Sequence, residues 1–241
     1  LDSEIHIWFI RTDSMDVPDE AVLSDSELEK YRSIKHPSNA RDYLVAHALL
    51  RNVLSKYAGV AAADLQFEHS EHGKPMLVAA EGVPAIEFNL THTSAAASGQ
   101  SDSGLCASVV STQGLCGIDV ENVARQNKVD AVAKRLFAEE ECRVLADSVD
   151  KPAAFFRYWT LREAYLKAVG TGLSGSSKAF HFEVDGAEEA AVIHHTGLPK
   201  ENQRWRFRLY RLSPGSQLTV ALEAADDVEV RLFEFDAADF D

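Results

Sequence analysis

The sequence predicts a mixed α and β protein, of the α+β (α/β) class, built from two similar lobes. Each half of the chain orders its elements alike: a strand, then two helices, then several short strands. Alternating apolar and polar residues indicate the strands, and apolar residues three or four positions apart indicate the helices. The 241 residues suffice for two lobes of about 120 residues each. We place these lobes at residues 1–113 and 114–241, with a ligand crevice where they pack together.

The first half begins with a strand at EIHIWFI, in which apolar and polar residues alternate. A helix follows from Ser24, because SDSE matches the S-x-x-E capping box with Glu27 as the reciprocal partner. A second helix covers ARDYLVAHALLRNVLSKYAG and stops near Gly59, since glycine readily ends helices. Short strands are predicted at LQFEH, AIEFNL and LCASVVS.

The second half begins with a strand at GIDVEN. Two helices are predicted next, at VDAVAKRLFAEEECRVLAD and AAFFRYWTLREAYLKAVG. Four strands follow, at AFHFEV, RWRFRLYRL, LTVALEA and VEVRLFEF. We find no residue-level repeat between the halves, so their likeness lies in element order alone. The turn STQG joins them without a long linker, which predicts that the two lobes pack closely.

The composition argues against several classes of protein. The net charge of −14, from 24 basic and 38 acidic residues, argues against broad binding to nucleic acid or to anionic membranes. No apolar run approaches the roughly 18 residues that span a bilayer. The three cysteines form no CxxC pair, which favours buried free thiols in a reducing compartment over disulfides or a zinc site. We therefore expect a cytoplasmic protein that binds neither nucleic acid nor membrane.

Two carboxylates lie side by side in the strand GIDVEN. Asp119 and Glu121 are two residues apart, so both point to one face of the sheet, where like charges repel. A third carboxylate, Glu163, lies in the helical segment WTLREAYLKAVGTGL, four residues before Lys167. One interpretation is an ordinary ion pair between Glu163 and Lys167 on the helix surface. The other joins Glu163 to Asp119 and Glu121 as three hard oxygen ligands for Mg²⁺.

Two further segments carry polar groups that suit a phosphate. FNLTHT ends a strand with Thr91 and His92 at its mouth, and HGKP is a turn that places Lys74 on an exposed tip. Each of these residues alone is consistent with an ordinary surface or core position. Together, a lysine, a histidine and hydroxyl donors around a crevice that holds a metal would bind a phosphate group well.

Four segments, taken in order, resemble the motifs of one enzyme family. GKP, FNLTHT, GIDVE and WTLREAYLKAVGTGL are similar to the GKP, F-N-x-S-H-S, G-(I/V)-D-x-E and W-x-x-K-E-(A/S)-(Y/F)-x-K-x-x-G-x-G-L motifs of Sfp-type 4′-phosphopantetheinyl transferases. The resemblance runs from LEKYRSIKHPSNARDYLVAHALLR to the C-terminal strands. It implies a pseudodimeric α/β fold with the active site between two lobes, working as a monomer. It also implies transfer of the 4′-phosphopantetheine arm of coenzyme A (CoA) to a serine of an apo acyl or peptidyl carrier protein, releasing adenosine 3′,5′-bisphosphate.

The resemblance also assigns roles to the candidate residues. Asp119, Glu121 and Glu163 match ligands of Mg²⁺, and Glu163 also matches the base that takes the serine proton, directly or through water. Glu163, Lys167 and His92 form the catalytic set, in which Lys167 and His92 contact the pyrophosphate. Lys74 matches a contact at the nucleotide end of CoA. The residues that match CoA contacts are Arg41, Lys74, Pro75, Thr91, His92 and Lys167.

The chain departs from the family motifs at three places. Arg162 replaces the lysine before the helix glutamate, and a forked guanidinium differs from an ammonium. The segment THT replaces SHS, which keeps both hydroxyls and adds methyl groups. The family's arginine for the CoA 3′-phosphate has its nearest match one position off, at Arg41, so Lys30 and Arg32 remain alternatives.

Two other functions remain open at this point. A Mg²⁺-dependent phosphodiester hydrolase would use the same three carboxylates without a protein acceptor. A non-catalytic acidic scaffold that binds a protein partner would need neither Mg²⁺ nor Glu163. If the chain does act on a carrier, the basic segment VARQNKVDAVAKR is a candidate docking surface, and a solvated loop and helix face is the alternative for it.

Overall fold

The first half of the chain builds a helical pair against strands, starting from well-capped helices. In the computed structural model, the described residues are 4–12, 15–78, 85–94, 104–124, 129–171, 178–184, 190–196, 200–213, 215–224 and 228–240. The predicted capping box is present, since Ser24 Oγ accepts from the Glu27 N–H at 3.4 Å and the Glu27 carboxylate accepts from the Ser24 N–H at 2.9 Å. The elements are β1 (Glu4–Arg11), α1 (Asp25–Ser33), α2 (Pro37–Ala58), β2 (Phe67–His69), β3 (Pro75–Leu77), β4 (Glu87–Thr93) and β5 (Leu105–Ser111).

The second half has three helices where the sequence predicts two. The segment VDAVAKRLFAEEECRVLAD is broken at Ala138, whose backbone is extended at φ −70° and ψ 166°. The Glu141 carboxylate accepts the Ala138 N–H at 2.9 Å, which starts a new helix there. The sequence patterns also did not predict the strand β8 (Ala190–His195). The elements are β6 (Cys116–Asn122), α3 (Val129–Leu136), α4 (Glu139–Asp147), α5 (Lys151–Val169), β7 (Phe180–Val184), β8 (Ala190–His195), β9 (Trp205–Tyr210), β10 (Ser216–Glu223) and β11 (Glu229–Glu234).

The strands form two main sheets, and the predicted α+β class is confirmed. The first sheet has the order β11-β1-β5-β4 and the second has the order β6-β10-β9-β8-β7, while β2 and β3 form a separate hairpin. The C-terminal strand β11 pairs in parallel with β1, so the end of the chain returns to the first sheet. The boundary that we place between residues 113 and 114 stays a prediction.

The two sheets meet along β4 and β6 through side chains. The Oδ1 atom of Asn89 accepts the Ile118 N–H at 3.1 Å, and the Oγ1 atom of Thr91 accepts the Val120 N–H at 3.2 Å. Strand β6 is the edge of its sheet, so these two N–H groups have no strand partner and would be unsatisfied when buried. Polar side chains of one sheet thus complete the hydrogen bonding of the other.

Helix α5 lies unusually close to β6 because Gly117 has no side chain. A Cβ atom at Gly117 would lie 2.1 Å from the Ala164 carbonyl oxygen and 2.5 Å from the Ala168 nitrogen. The two alanines supply a matching small face on the helix. Gly117, the glycine of GIDVE, is therefore a packing requirement.

The long helices of the two halves share a local sequence that element order alone does not reveal. RNVLSKYAG ends α2 and REAYLKAVG ends α5, so both follow the spacing R-x₄-K-x₂-G. The final glycines, Gly59 and Gly170, have φ of 65° and 77°, which suits the left-handed cap of a helix. The two halves thus share an arginine, a lysine and a final glycine at equal spacing in this segment.

The three cysteines are all free thiols. Cys106 and Cys116 are buried free thiols, as expected, while Cys142 is half-buried. Among the helices in the described parts of the chain, none combines the length and apolar character needed to cross a membrane.

The role of Gly117 can be tested by substitution. Gly117→Ala should reduce the free energy of unfolding by about 3 kcal/mol or more, because the new methyl group meets backbone atoms that cannot swing away. Gly59→Ala is the matched control, since that site has open space and only its positive φ is strained. It should cost about 1 kcal/mol. Urea denaturation measures both, and equal costs for the two variants would contradict the close-packing account.

Candidate active site

Three polar side chains on one face of α5 line up with β6. Trp159 Nε1 donates to Glu121 Oε1 at 3.2 Å, and Lys167 Nζ donates to Asp119 Oδ1 at 2.7 Å. These contacts mean that the helix runs antiparallel to the strand. Glu163 is four residues from both Trp159 and Lys167, which is about 6 Å along the helix axis. It therefore lies between the two carboxylates of the strand.

The carboxylates of this group keep buried oxygens without hydrogen bonds. Asp119 Oδ2 and Glu163 Oε1 are both buried and have no hydrogen-bond partner. Buried charged oxygens are costly unless something compensates them, so two orphaned oxygens in one crevice point to a missing cation or donor. This is the observation that distinguishes the site from an ordinary surface ion pair.

Burial and mutual repulsion raise the pKa values of Glu163 and Asp119. The pKa of Glu163 rises to about 7, first because of burial and then because of the Asp119 charge, while Lys167 opposes the rise. The pKa of Asp119 rises to about 6, again first through burial, with Lys167 lowering it and Glu121 raising it further. The three carboxylates therefore lie within electrostatic reach of each other.

The donor chemistry fits Mg²⁺, although the side chains are not closed around one point. Carboxylate oxygens are the ligands that Mg²⁺ prefers, and two of them here lack any other partner. Within the described ranges, no group of three or more His, Cys, Asp or Glu side chains stands ready to hold a metal ion. Glu121 and Asp119 are instead held by Trp159 and Lys167. The metal assignment of Asp119, Glu121 and Glu163 thus stays a prediction.

Lys167 bridges the two sheets. Its Nζ atom donates to Asp119 Oδ1 at 2.7 Å, to the Ile118 carbonyl at 3.2 Å and to Thr91 Oγ1 at 3.3 Å. It therefore contacts the strand carboxylate, whereas the ordinary interpretation pairs it with Glu163 on the helix surface.

Thr91 and His92 lie within the last residues of β4 and point in opposite directions. Thr91 is buried, and its hydroxyl accepts from Val120 N and donates to Asp119 Oδ1 at 3.4 Å. Its polar contacts therefore lie within the protein. His92 is exposed on the other face of β4, although protein atoms around its ring lower its pKa by desolvation, an effect that Asp42 opposes. His92 remains available to a ligand.

Lys74 does not lie on an exposed tip, so that expectation is wrong. Its side chain is only 12% exposed, and Nζ donates to Glu87 Oε2 and to the Ala168 carbonyl, both at 3.1 Å. The turn at Gly73, with φ 82°, folds the hairpin so that Lys74 reaches the C-terminal end of α5. Lys74 thus links the first half to the helix that carries Glu163.

A cavity of 470 Å³ opens beside α2 and the hairpin. Pro75 lines this cavity, as does Lys30, the alternative to Arg41 for the 3′-phosphate. Arg41 itself is not among the lining residues and donates to the Met15 carbonyl at 2.9 Å, while Arg32 pairs with Glu20. Further lining residues that the sequence did not single out for a ligand are Tyr43, His47 and Leu90.

The spacing of Tyr43 and His47 in the sequence could have identified them as candidate ligand contacts. They lie four residues apart on α2, and their rings stack with centroids 4.0 Å apart. Two aromatic rings on the less buried face of an otherwise buried helix are the kind of surface that accepts a planar ligand.

Two predicted features lie elsewhere. Arg162 points into the core of the second half, where it pairs with Glu141 at 2.6 Å, so it is not a ligand contact in this arrangement. In the candidate docking segment, Lys134 and Arg135 are exposed on α3, whereas Arg125 and Lys128 fall outside the described residues.

Comparison with known proteins identifies the family. A model of the 4′-phosphopantetheinyl transferase superfamily matches residues 115–222, and a model of the N-terminal part of 4′-phosphopantetheinyl transferases matches residues 20–102. The 4′-phosphopantetheinyl transferase HetI of Nostoc sp. (strain PCC 7120) is 33% identical over 179 residues, which are 72% of this chain and 72% of HetI. The chain belongs to the 4′-phosphopantetheinyl transferase superfamily.

Other similar proteins agree with this membership. The 4′-phosphopantetheinyl transferase Sfp of Bacillus subtilis (strain 168) is 25% identical to the transferase described here over 206 residues, which are 85% of this chain and 84% of Sfp. The crystal structure of the Thermotoga maritima holo-(acyl-carrier-protein) synthase (AcpS) matches 48% of this chain and 64% of that chain, with 22% identity and a TM-score of 0.36. That structural likeness is too weak to bear on the fold.

The bridging role of Thr91 in the transferase predicts a clear difference between two substitutions. Thr91→Val keeps the shape but leaves the buried Val120 N–H without an acceptor, which should cost about 1–3 kcal/mol of unfolding free energy. Thr91→Ser keeps the hydroxyl and loses only a methyl group, so it should cost about 1 kcal/mol or less. Chemical denaturation of both variants measures this, and a serine variant as unstable as the valine variant would argue against the hydrogen bond.

The raised pKa values predict how the metal-free transferase responds to pH. Folded Glu163 keeps its proton to about pH 7, whereas the unfolded chain releases it near 4.5. The folded state therefore loses relative stability as pH rises through this window, and Asp119 adds the same trend between 3.8 and about 6. Melting temperatures in a chelating buffer between pH 4.5 and 8 should thus fall less steeply for Glu163→Gln than for the unmodified chain.

The control for this pH series is Glu68→Gln, which changes an exposed glutamate on β2. Its pH profile should parallel that of the unmodified chain. A Glu163→Gln profile that also runs parallel would contradict the buried, mutually repelling carboxylates.

Proposed function

We propose that this crevice transfers the 4′-phosphopantetheine arm of CoA to a serine of an apo acyl or peptidyl carrier protein. The observation that carries the proposal is the face of α5 that sets Glu163 between Asp119 and Glu121, beside Lys167. Membership of the transferase superfamily supports the same reaction. The serine Oγ forms a bond to the phosphorus that carries the pantetheine arm, the bond from that phosphorus to the bridging oxygen breaks, and adenosine 3′,5′-bisphosphate leaves.

The residues that would hold Mg²⁺ are Asp119, Glu121 and Glu163. The orphaned oxygens Asp119 Oδ2 and Glu163 Oε1 support this assignment, because both are already buried and have no competing donor. A bound Mg²⁺ would supply positive charge next to the phosphate oxygens, where charge builds during attack. Removing the repulsion among these carboxylates would also stabilise the fold.

Glu163 is the candidate base for the serine proton. A base works best when its pKa lies near the working pH, and burial raises the pKa of Glu163 to about 7. Its proton exchange near neutral pH suits a hydroxyl that must lose a proton as its oxygen attacks. A nearby cation would lower this pKa, so the base role and the metal role of Glu163 compete, and we assign it both.

Lys167 and His92 are the candidate contacts to the pyrophosphate. Lys167 brings its ammonium to the Asp119 end of the crevice, with three oxygen acceptors already around it. The lowered pKa of His92 keeps its ring neutral at pH 7, so it would donate one N–H to a phosphate oxygen. Both groups would offset charge that develops on the phosphate.

The nucleotide end of CoA suits the cavity beside α2. Its 470 Å³ lies within the usual range of ligand pockets, roughly 300–1,000 Å³. Tyr43 and His47 would stack on the adenine, and Lys30 would meet a phosphate. Lys74 donates hydrogen bonds to Glu87 and to the Ala168 carbonyl. A contact between Lys74 and CoA would therefore require it to give up one of these bonds. Arg41 would likewise have to leave the Met15 carbonyl.

A carrier-loading assay tests the reaction itself. The full chain is incubated with CoA, Mg²⁺ and a panel of apo carrier proteins, and the carriers are weighed by mass spectrometry. We expect at least one carrier to gain the mass of phosphopantetheine, and the gain to disappear in excess chelator. Glu163→Gln should lower turnover roughly 10²- to 10⁴-fold, as loss of a general base does, with partial recovery at high Mg²⁺.

The exposed-site variant Glu68→Gln is the control and should load carriers at the normal rate. Cleavage of CoA without any carrier modification would support the hydrolase instead. Carrier binding without modification, unaffected by Mg²⁺ or by Glu163→Gln, would support the scaffold and overturn the transfer proposal.

A further inference from the structure

A buried ion pair lies directly behind the carboxylate face of α5. Arg162 and Glu141 are both fully buried, at 0% exposure, and Arg162 Nη2 lies 2.6 Å from Glu141 Oε2. Arg162 immediately precedes Glu163 in the helix. The reaction proposed above makes no use of this pair.

Glu141 is fixed by two further hydrogen bonds. Its Oε2 atom accepts the Ala138 N–H at 2.9 Å, and its Oε1 atom accepts the Phe182 N–H at 3.0 Å. The first bond holds the start of α4, and the second holds β7. Arg162 therefore connects α5 to a carboxylate that is already tied to two other elements.

Aromatic rings confine the guanidinium as well. Its central carbon lies 4.5 Å from the centroid of Phe180 and 5.5 Å from that of Phe137. Such contacts favour one orientation of a planar cation. The Arg162 side chain thus has a single position in the core, defined by charge, hydrogen bonds and ring contacts.

Arg162 matters because a directional contact adds to the packing of Ala164 and Ala168 on Gly117 in setting the rotation of α5. Apolar contacts are non-directional, and this helix is buried on several sides. Trp159 and Lys167 do give direction, but they contact the very carboxylates that a cation would engage. The Arg162–Glu141 pair is a directional contact that lies away from those carboxylates. The hydrogen bond between Thr160 and Thr219, 2.7 Å long, does not involve them either, but Thr219 lies directly opposite Asp119 in the sheet.

We propose that Arg162, held by Glu141, is a positioning residue that fixes the rotation of α5 so that Glu163 faces Asp119 and Glu121. Neighbouring side chains on a helix point about 100° apart, so anchoring Arg162 in the core aims Glu163 at β6. The inference rests on the proposed function, in which Glu163 acts on the reacting groups.

The first half contains a counterpart that shows what the pair does without a carboxylate beside it. Arg51 is also fully buried, contacts the capping-box residue Glu27 at 2.7 Å and lies 5.1 Å from the Phe67 ring. The next residue is Asn52, which donates to the Ala48 carbonyl of its own helix. The pair is thus a framework element in both halves, and the second half places a catalytic candidate next to it.

The experiment separates positioning from simple stability. The variants are Arg162→Met, Arg162→Lys and Glu141→Gln, with Leu145→Ala as a control for destabilisation in the same core cluster. The melting temperature of each variant is measured first. The kcat and the KM for CoA are then measured at a temperature where every variant is folded. The rise in melting temperature caused by Mg²⁺ alone provides a readout that does not depend on activity.

For Arg162→Met we expect kcat to fall roughly 10- to 100-fold, as when an outer partner of a metal or catalytic group is lost. KM for CoA should stay within about twofold, because the candidate nucleotide contacts belong to the first half. The Mg²⁺-induced rise should shrink, and Arg162→Lys should recover part of both effects, since it keeps the charge without the fork. Leu145→Ala should lose thermal stability while keeping kcat and the Mg²⁺ response.

An Arg162→Met variant with normal kcat and a normal Mg²⁺ response would overturn the positioning role. If Arg162→Met does not fold, Arg162→Lys and Glu141→Gln decide by the same criteria. Failure of the unmodified chain to load any carrier would count against the proposed function instead, and the Mg²⁺ response would still report on the positioning of the carboxylates.

Discussion

The close approach of α5 to β6 at Gly117 is the constraint on which the crevice depends. With only a hydrogen atom at this position, the helix backbone comes near enough for Trp159 and Lys167 to reach Glu121 and Asp119 directly. A helix held further away by a larger side chain would leave these donors short of the strand. The same approach removes water that would otherwise solvate Asp119 and Glu163, which is why the pKa values of these two groups rise. The reactivity of the group thus begins with one packing contact.

The second determinant is the polar seam between the two sheets. Asn89 and Thr91 of β4 accept the N–H groups on either side of Asp119, so the position of this carboxylate is set by side chains from the other sheet. Lys167 then closes the seam by contacting Thr91 and Asp119 together. The crevice therefore exists only while the two sheets keep their relative position. This explains why Thr91, which the sequence assigned to a ligand, makes its hydrogen bonds within the protein.

Local patterns in the sequence were enough for most elements and for the composition of the site. The capping box at Ser24, the long helices and the paired carboxylates of GIDVEN follow from rules that operate over a few residues. Predictions that depended on distant contacts did less well. Lys74 looks exposed in a turn, but it is covered by α5, which lies 94 residues away in the sequence. The pairing of β11 with β1 likewise depends on a partner that a local pattern does not contain. The break at Ala138, by contrast, has a local partner in Glu141, three residues away.

The ends of α2 and α5 have similar sequences, but in the described residues only α5 carries a carboxylate next to its buried arginine. Both helices keep the buried arginine, the lysine and the final glycine, which serve packing and helix ends. The position of Glu163 in α5 is taken in α2 by Asn52, which donates a hydrogen bond to its own helix. Lys167 contacts Asp119, whereas the corresponding Lys56 lies over the rings of Trp8 and Phe235. Neutral and aromatic partners avoid the repulsion that three neighbouring carboxylates create. The first half therefore has the framework without this repulsion, while the second half retains a repulsion that a cation or substrate would relieve.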